Sequence, residues 1–119
     1  HKLPVKIFIL NNQYMGMVRQ WQELLHGGRY SHSYTDSLPD FVKLAEAYGA
    51  HGVRAQTPDE LDSKINEMLD SKLPVLFDCV VDKDENCYPM IPSGAAHNEM
   101  LFNDDGIKVE VGDEGKVLI

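Results

Sequence analysis

The stretch VKIFILNNQYMG, residues 5–16, contains the change of structure on which the fold turns. Its first half is β-branched and aromatic with only Lys6 charged, a composition that suits a pleated, buried surface. The apolar character is continuous rather than alternating, which predicts a strand covered on both faces, as parallel sheets use. The run stops at Asn11 and Asn12, whose amides are poor in strands and good in turns. A helix then opens at Gly16: Met17, Trp21, Leu24 and Leu25 recur at helical spacing, and Gly27 with Gly28 ends it near His26. A strand that closes in amides just before a helix is where parallel α/β proteins build ligand sites.

The pattern repeats downstream. GRYSHSYTDS has no period and reads as a loop. Ser37 is a candidate helix cap, followed by Pro39 in the first turn and Asp40 at the third position, with Phe41, Leu44, Ala45 and Tyr48 as the apolar stripe. GVRAQ, residues 52–56, reads as a short strand. Thr57, Pro58 and Glu60 form a stronger start signal, with Leu61, Ile65, Met68 and Leu69 as the buried face. PVLFDCVV, residues 74–81, is a third nearly continuous apolar strand. This alternation predicts an α/β fold, a parallel sheet with flanking helices joined by right-handed crossovers. Residues after Tyr88 lose their period and read as an extended arm. IKVEVGDEGKVLI, from Ile107, is either a hairpin or an acidic tail.

The whole chain bounds the function. Its 119 residues suggest one domain or a piece of one, and 43% hydrophobic with 25% charged residues suffices for a core. A net charge of −8 offers no surface to neutralise phosphates, and Arg19, Arg29 and Arg54 are scattered, so nucleic acid is not an expected partner. Cys79 and Cys87 lack metal or redox spacing. No stretch resembles a signal peptide or approaches membrane-spanning length, so no membrane association is expected. The expected compartment is the bacterial cytoplasm or an organelle matrix or stroma. The chain opens at His1 directly into its first strand and looks cut from something longer.

A side-chain amide oxygen is a hard, neutral ligand suited to Mg²⁺, a cation that usually also binds phosphate. Gly16 lets backbone approach a phosphate closely, and the helix N-terminus adds partial positive charge. Such a metal site normally includes a carboxylate, and the nearest acid in sequence is Glu23, two turns into the helix. On spacing alone, strand termination and turn capping by Asn11 and Asn12 is the favoured reading. Trp21 likewise reads as a core residue of its helix, and the five histidines as surface or capping groups.

LPVKIFILNNQYMGMVRQWQ resembles the closing half of the thiamine-diphosphate motif, which opens with Gly-Asp-Gly and ends in Asn-Asn. GMVRQWQ, with the later GGRYSHSY, PDFVKLAEAYG and YPMIPSGAAHNEM, is similar to the large catalytic subunit of acetohydroxyacid (acetolactate) synthase, over roughly residues 1–100. The resemblance implies that residues 1–87 are the C-terminal part of a thiamine-diphosphate- and Mg²⁺-binding α/β domain, with residues 88–119 an arm and acidic tail. It implies Mg²⁺ coordination by the Asn12 side chain and the Tyr14 backbone carbonyl. Gln13, Tyr14, Met15, Gly16 and Met17 would lie along the cofactor, and Trp21 in the substrate pocket.

The implied activity condenses pyruvate with pyruvate or 2-ketobutyrate, with loss of CO₂, in branched-chain amino acid biosynthesis. The implied partners are small 2-ketoacids, a second catalytic subunit and a small regulatory subunit, with FAD bound outside this chain. The Gly-Asp half of the motif is absent, and with it the carboxylate, so no complete catalytic set is expected and the isolated chain is expected to be inactive. Two other readings are a related thiamine-dependent decarboxylase or oxidase, and a non-catalytic α/β interaction module.

Overall fold

The structure, a computed structural model, describes residues 3–103. These form two compact units: residues up to Gln13 with Asp36–Lys83, and Tyr14–Thr35 with the described residues from Asp84 on.

The first unit is built on three parallel strands, β1 (Lys6–Asn11), β2 (His51–Ala55) and β3 (Val75–Val80), in the order β1-β3-β2. Lys6 pairs with Val75 and Asn11 with Val80 on one side of β3; His51 pairs with Val75 and Ala55 with Cys79 on the other. Parallel pairing requires a crossover between strands, and helices α2 (Phe41–Ala47) and α3 (Pro58–Asp70) provide it. Alternation of side chains sorts the sheet into two faces. On one, Val53, Ala55, Val75, Phe77 and Cys79 pack with Met68, Leu61 and Ile65 of α3 into the hydrophobic core. On the other, Gly52 brings β2 hard against Val42 of α2.

The caps explain where the helices begin. Glu60 Oε2 accepts from the backbone N–H groups of Gln56 and Thr57 at 2.9 and 3.1 Å, as the capping sequence predicts. At α2 the structure differs from expectation. The cap is Asp40, not Ser37: Asp40 Oδ1 accepts from the Val42 and Lys43 amides. A carboxylate placed directly before the first free N–H groups satisfies them, whereas Leu38 and Pro39 stay outside the helix.

Two predicted buried faces are also corrected. Tyr48 is the C-terminal cap of α2 and is 85% exposed, and Leu69 lies on the solvent side of α3. Strand β1 is not covered on both faces among the described residues: Ile7, Phe8 and Leu10 are all exposed. It is an edge strand, and α2 and α3 lie over β2 and β3. Phe8 still packs inward on Phe77, with ring centroids 4.5 Å apart.

The second unit contains α1 (Gly16–Leu25), the 27–35 loop and the segment from Asp84, which includes a 3-10 turn at His97–Glu99. Met90 bridges Leu101 by two backbone hydrogen bonds, so the arm is tied to itself. The expected hairpin or tail from Ile107 lies outside the described residues. Among the described residues no helix is long and apolar enough to cross a membrane.

Candidate functional site

The carboxyl ends of the parallel strands position the first part of the site. At the end of β1, Asn11 Oδ1 accepts from the Gln13 backbone N–H at 3.1 Å, closing a tight turn around Asn12. Gln13 has φ 59°, a left-handed conformation that costs a non-glycine residue about 1 kcal/mol or more. Asn12, half-buried, is the residue between these two anchors.

Beneath the turn lies a polar chain that runs across the sheet. Asp78, in the middle of the central strand, is only 1% exposed. Its Oδ1 accepts from Asn11 Nδ2 and its Oδ2 from Arg54 Nε, both at 2.8 Å. Arg54 Nη2 then donates to Asp40 Oδ1 at 2.8 Å, linking the α2 cap to the same network. The bond to Asp78 is the main reason the Arg54 guanidinium holds its proton more tightly than usual. Desolvation alone would raise the Asp40 pKa, but bonds from the Lys43 amide and Arg54 outweigh it and hold the carboxyl below its ordinary value.

Beside these strand ends, a groove of about 460 Å³ runs along the N-terminus of α3, lined by Ala55, Thr57, Leu61, Cys79 and Asp82 among others. Desolvation, with a smaller contribution from Asp78, pushes the Cys79 thiol pKa up, so this cysteine is a packing group rather than a nucleophile.

The second unit carries the rest of the singled-out stretch. Tyr14 forms an antiparallel bridge with Tyr34, their rings 5.1 Å apart, and the Met15 amide donates to the Ser33 carbonyl at 2.8 Å. Gly16 begins α1, whose first turn has no acidic residue. Along that helix the structure inverts the predicted amphipathicity. Arg19 and Gln20 are buried, while Met17 and Trp21 are 51% and 45% exposed; of the expected apolar face only Leu24 is fully buried.

The reason is polar anchoring. Gln20 accepts from the Cys87 N–H at 2.7 Å and donates to its carbonyl at 3.0 Å. Arg19 donates to the Asp84 carbonyl and to Asn86 Oδ1, pairs with Glu23 at 2.9 Å, and sits 5.4 and 5.5 Å from the ring centroids of Tyr14 and Tyr30. The free face of the helix is a shallow groove of about 340 Å³ lined by Met17, Val18, Trp21, Gln22 and His26. Trp21 and Met17 therefore share an accessible apolar surface within this unit.

The Asn12 amide and the Tyr14 carbonyl, two residues apart in the chain, are hard oxygen donors of the kind Mg²⁺ takes when a phosphate completes its shell. Among the described residues no group of three or more His, Cys, Asp or Glu could hold an ion.

Residues 1–79 match the family described as "Thiamine pyrophosphate enzyme, C-terminal TPP binding domain". This chain belongs to the thiamine pyrophosphate enzymes. It is 50% identical over 102 residues to the acetolactate synthase large subunit of Haemophilus influenzae, covering 85% of this chain and 18% of that protein. It is 48% identical over 106 residues to the acetolactate synthase isozyme 3 large subunit of Escherichia coli, covering 87% of this chain and again 18% of the relative. Among solved structures, the thiamine diphosphate-dependent 4-hydroxybenzoylformate decarboxylase of Rhodococcus jostii RHA1 shares the fold. Its TM-score is 0.63 at 32% identity, over 71% of this chain and 16% of that one. The chain thus spans less than a fifth of the length of the curated relatives it matches.

As part of a thiamine pyrophosphate enzyme, the α/β unit matches the fold class predicted from sequence. Sequence reasoning missed Asp78, Arg54, Arg19 and Gln20. The first two had a signal: a lone acid within PVLFDCVV and a lone arginine within GVRAQ, each inside an otherwise apolar strand, call for one another. Arg19 and Gln20 had none, because the segment that holds them lies more than sixty residues away.

Proposed function

We propose that this chain forms the C-terminal part of the cofactor site of an acetolactate synthase large subunit. The observation that carries the reading is the 50% identity to a large subunit of that name over 102 residues, a longer match than the 79 residues of the family domain. The turn at the end of β1, anchored on both sides of Asn12, supports it. In this reading Asn12 Oδ1 and the Tyr14 carbonyl are Mg²⁺ ligands, and Gln13, Tyr14, Met15, Gly16 and Met17 line the thiamine diphosphate. Trp21 borders the pocket for the 2-ketoacid acceptor, which its exposed, apolar face suits. Residues 1–87 belong to the cofactor-binding domain and residues 88–119 to an arm and tail.

When bound, the cofactor supplies the electron sink for loss of CO₂ and formation of the new carbon–carbon bond. The residues of this chain bind and orient: the amide and carbonyl oxygens hold the cation, and the backbone at Gly16 approaches the phosphates at the start of α1. Met17 and Trp21 give the acceptor an apolar wall. A carboxylate ligand to the cation, the activating acid and FAD belong to parts of the enzyme outside this chain. The proposed partners are pyruvate and 2-ketobutyrate, a second catalytic subunit and a small regulatory subunit, in the cytoplasm or an organelle.

Pyruvate turnover by the complete subunit tests the reading. Acetolactate is the expected product, and Asn12→Ala is expected to abolish Mg²⁺-dependent cofactor binding. Release of free aldehyde without acetolactate would favour the decarboxylase reading, for which the Rhodococcus fold likeness speaks. No turnover and no cofactor binding would leave an interaction module. The 119-residue chain by itself is expected to form no acetolactate, because the carboxylate of the metal site is missing from it.

A further inference from the structure

We propose that Asp78 is a positioning residue that, through Asn11 and Arg54, fixes the Asn11–Gln13 turn in the form that binds the metal–diphosphate. The inference rests on the cofactor reading above and adds residues that touch neither cofactor nor substrate.

An ionised carboxylate in the middle of a central strand is costly unless both oxygens are satisfied and a cation is near. Asp78 meets both conditions, with Arg54 Nε on Oδ2 and Asn11 Nδ2 on Oδ1. Register makes this possible. Arg54 is the direct neighbour of Asp78 on β2; Asn11 lies opposite Val80 on β1 and reaches back diagonally on the same face.

The consequence is directional. A carboxylate accepts and cannot donate, so the Asn11 amide must turn its Nδ2 toward Asp78. That leaves Asn11 Oδ1 facing the chain, where it takes the Gln13 N–H at 3.1 Å. The same bond holds Gln13 in a left-handed conformation unfavourable for a side chain of its kind. Asn12 lies between the two fixed residues, so its own direction is set from both sides. The α2 cap extends the support, because Asp40 steadies the outer end of Arg54. Satisfying Asp78 would need only the Asn11 Nδ2 and Arg54 Nε donors; the further bond from the Gln13 N–H to Asn11 Oδ1 is what carries the polarity on to the turn.

The test is a polarity exchange in the complete subunit, read by calorimetric titration of Mg²⁺ at saturating thiamine diphosphate and by thermal unfolding. Asn11→Asp removes the donor and sets two carboxylates face to face. Asp78→Asn removes the charge that fixes the Asn11 amide. Each is expected to weaken binding by about tenfold to a hundredfold. In the double variant the new amide at position 78 donates to the new carboxylate at position 11. That carboxylate still accepts from the Gln13 N–H, and the amide oxygen still accepts from Arg54. Binding is expected to return to within about threefold of the parent, since only the bond's direction has reversed.

Asn11→Ala, at the half-buried end of an edge strand, removes the arm without placing a charge and is expected to weaken binding like the single exchanges. It decides the matter if those variants do not fold. The proposal is overturned if Asn11→Ala binds like the parent, or if the double variant is no better than its components. A parent that fails to bind the Mg²⁺–cofactor pair sinks the cofactor reading itself, whereas a parent that binds and is indifferent to Asn11 sinks only this inference.

Discussion

Replacing Gly52 by alanine tests the packing that holds the polar network. A methyl group built on Gly52 would lie 2.7 Å from both Cα and the carbonyl oxygen of Val42 and 2.9 Å from its Cγ1. Carbon atoms in contact prefer about 3.5–4.0 Å, so α2 would have to withdraw from β2 by roughly 1 Å. The obstacles are mostly backbone, and no rotamer change relieves them. Overpacking of this kind costs about 1–3 kcal/mol, and a site walled by backbone belongs at the upper end. The withdrawal also carries Asp40, the residue just before α2, away from Arg54, and a 2.8 Å bond stretched by that amount is no longer a hydrogen bond. Gly49 is the matched control. It has φ 71° and nothing within 4 Å of the added carbon, so Gly49→Ala meets only the conformational penalty, about 1 kcal/mol. Urea unfolding followed by circular dichroism measures both, at equal slope if the unfolded states match. If Gly52→Ala is no more destabilising than Gly49→Ala, the close contact between α2 and β2 does not constrain the fold.

Further outcomes follow from the ion pairs and the exposed face of α1. Arg54→Met leaves Asp78 buried without a cation and is expected to destabilise by about 2 kcal/mol, below the range for fully buried pairs because the Arg54 side chain is one-third exposed; an unchanged unfolding midpoint would contradict this. Glu67 has its pKa lowered by the bond from Lys64 and then by that from His51. Its stabilisation is therefore complete above the ordinary value of 4.5 and is lost as pH falls through the lower folded value. Glu67→Gln should flatten that part of the acid-unfolding curve, though Asp40 and Glu60, shifted the same way, keep some slope. Trp21→Leu in the complete subunit should change the preference between pyruvate and 2-ketobutyrate as acceptor by about tenfold while leaving Mg²⁺-dependent cofactor binding intact. Equal selectivity in competition assays would place Trp21 outside the acceptor pocket.

The elements of this protein were legible where their cause is local. VKIFIL, GVRAQ and PVLFDCVV are strands because β-branched runs bounded by amides, glycine or proline have few other uses, and their separation by helices forced parallel pairing. Thr57 to Glu60 capped α3 as written, since both partners lie within one turn. At α2 the same logic chose the wrong residue, because Ser37 and Asp40 both qualify as caps and only the fold, by placing Arg54 next to Asp40, selects between them.

The sequence by itself determined the α/β order, the family, and the turn of two asparagines before a helix, all properties of short windows. The tertiary structure decided which sides face inward. Met17 and Trp21 look like a core face by spacing, yet Arg19 and Gln20 take the interior of α1 because their partners arrive from residues 84–90. Asn11 and Asp78 are 67 residues apart, and only the strand register brings the amide onto the carboxylate. Hydrophobic periodicity records which residues prefer to leave water, whereas a hydrogen bond between distant strands depends on alignment to within an ångström. That alignment exists only once the sheet has formed.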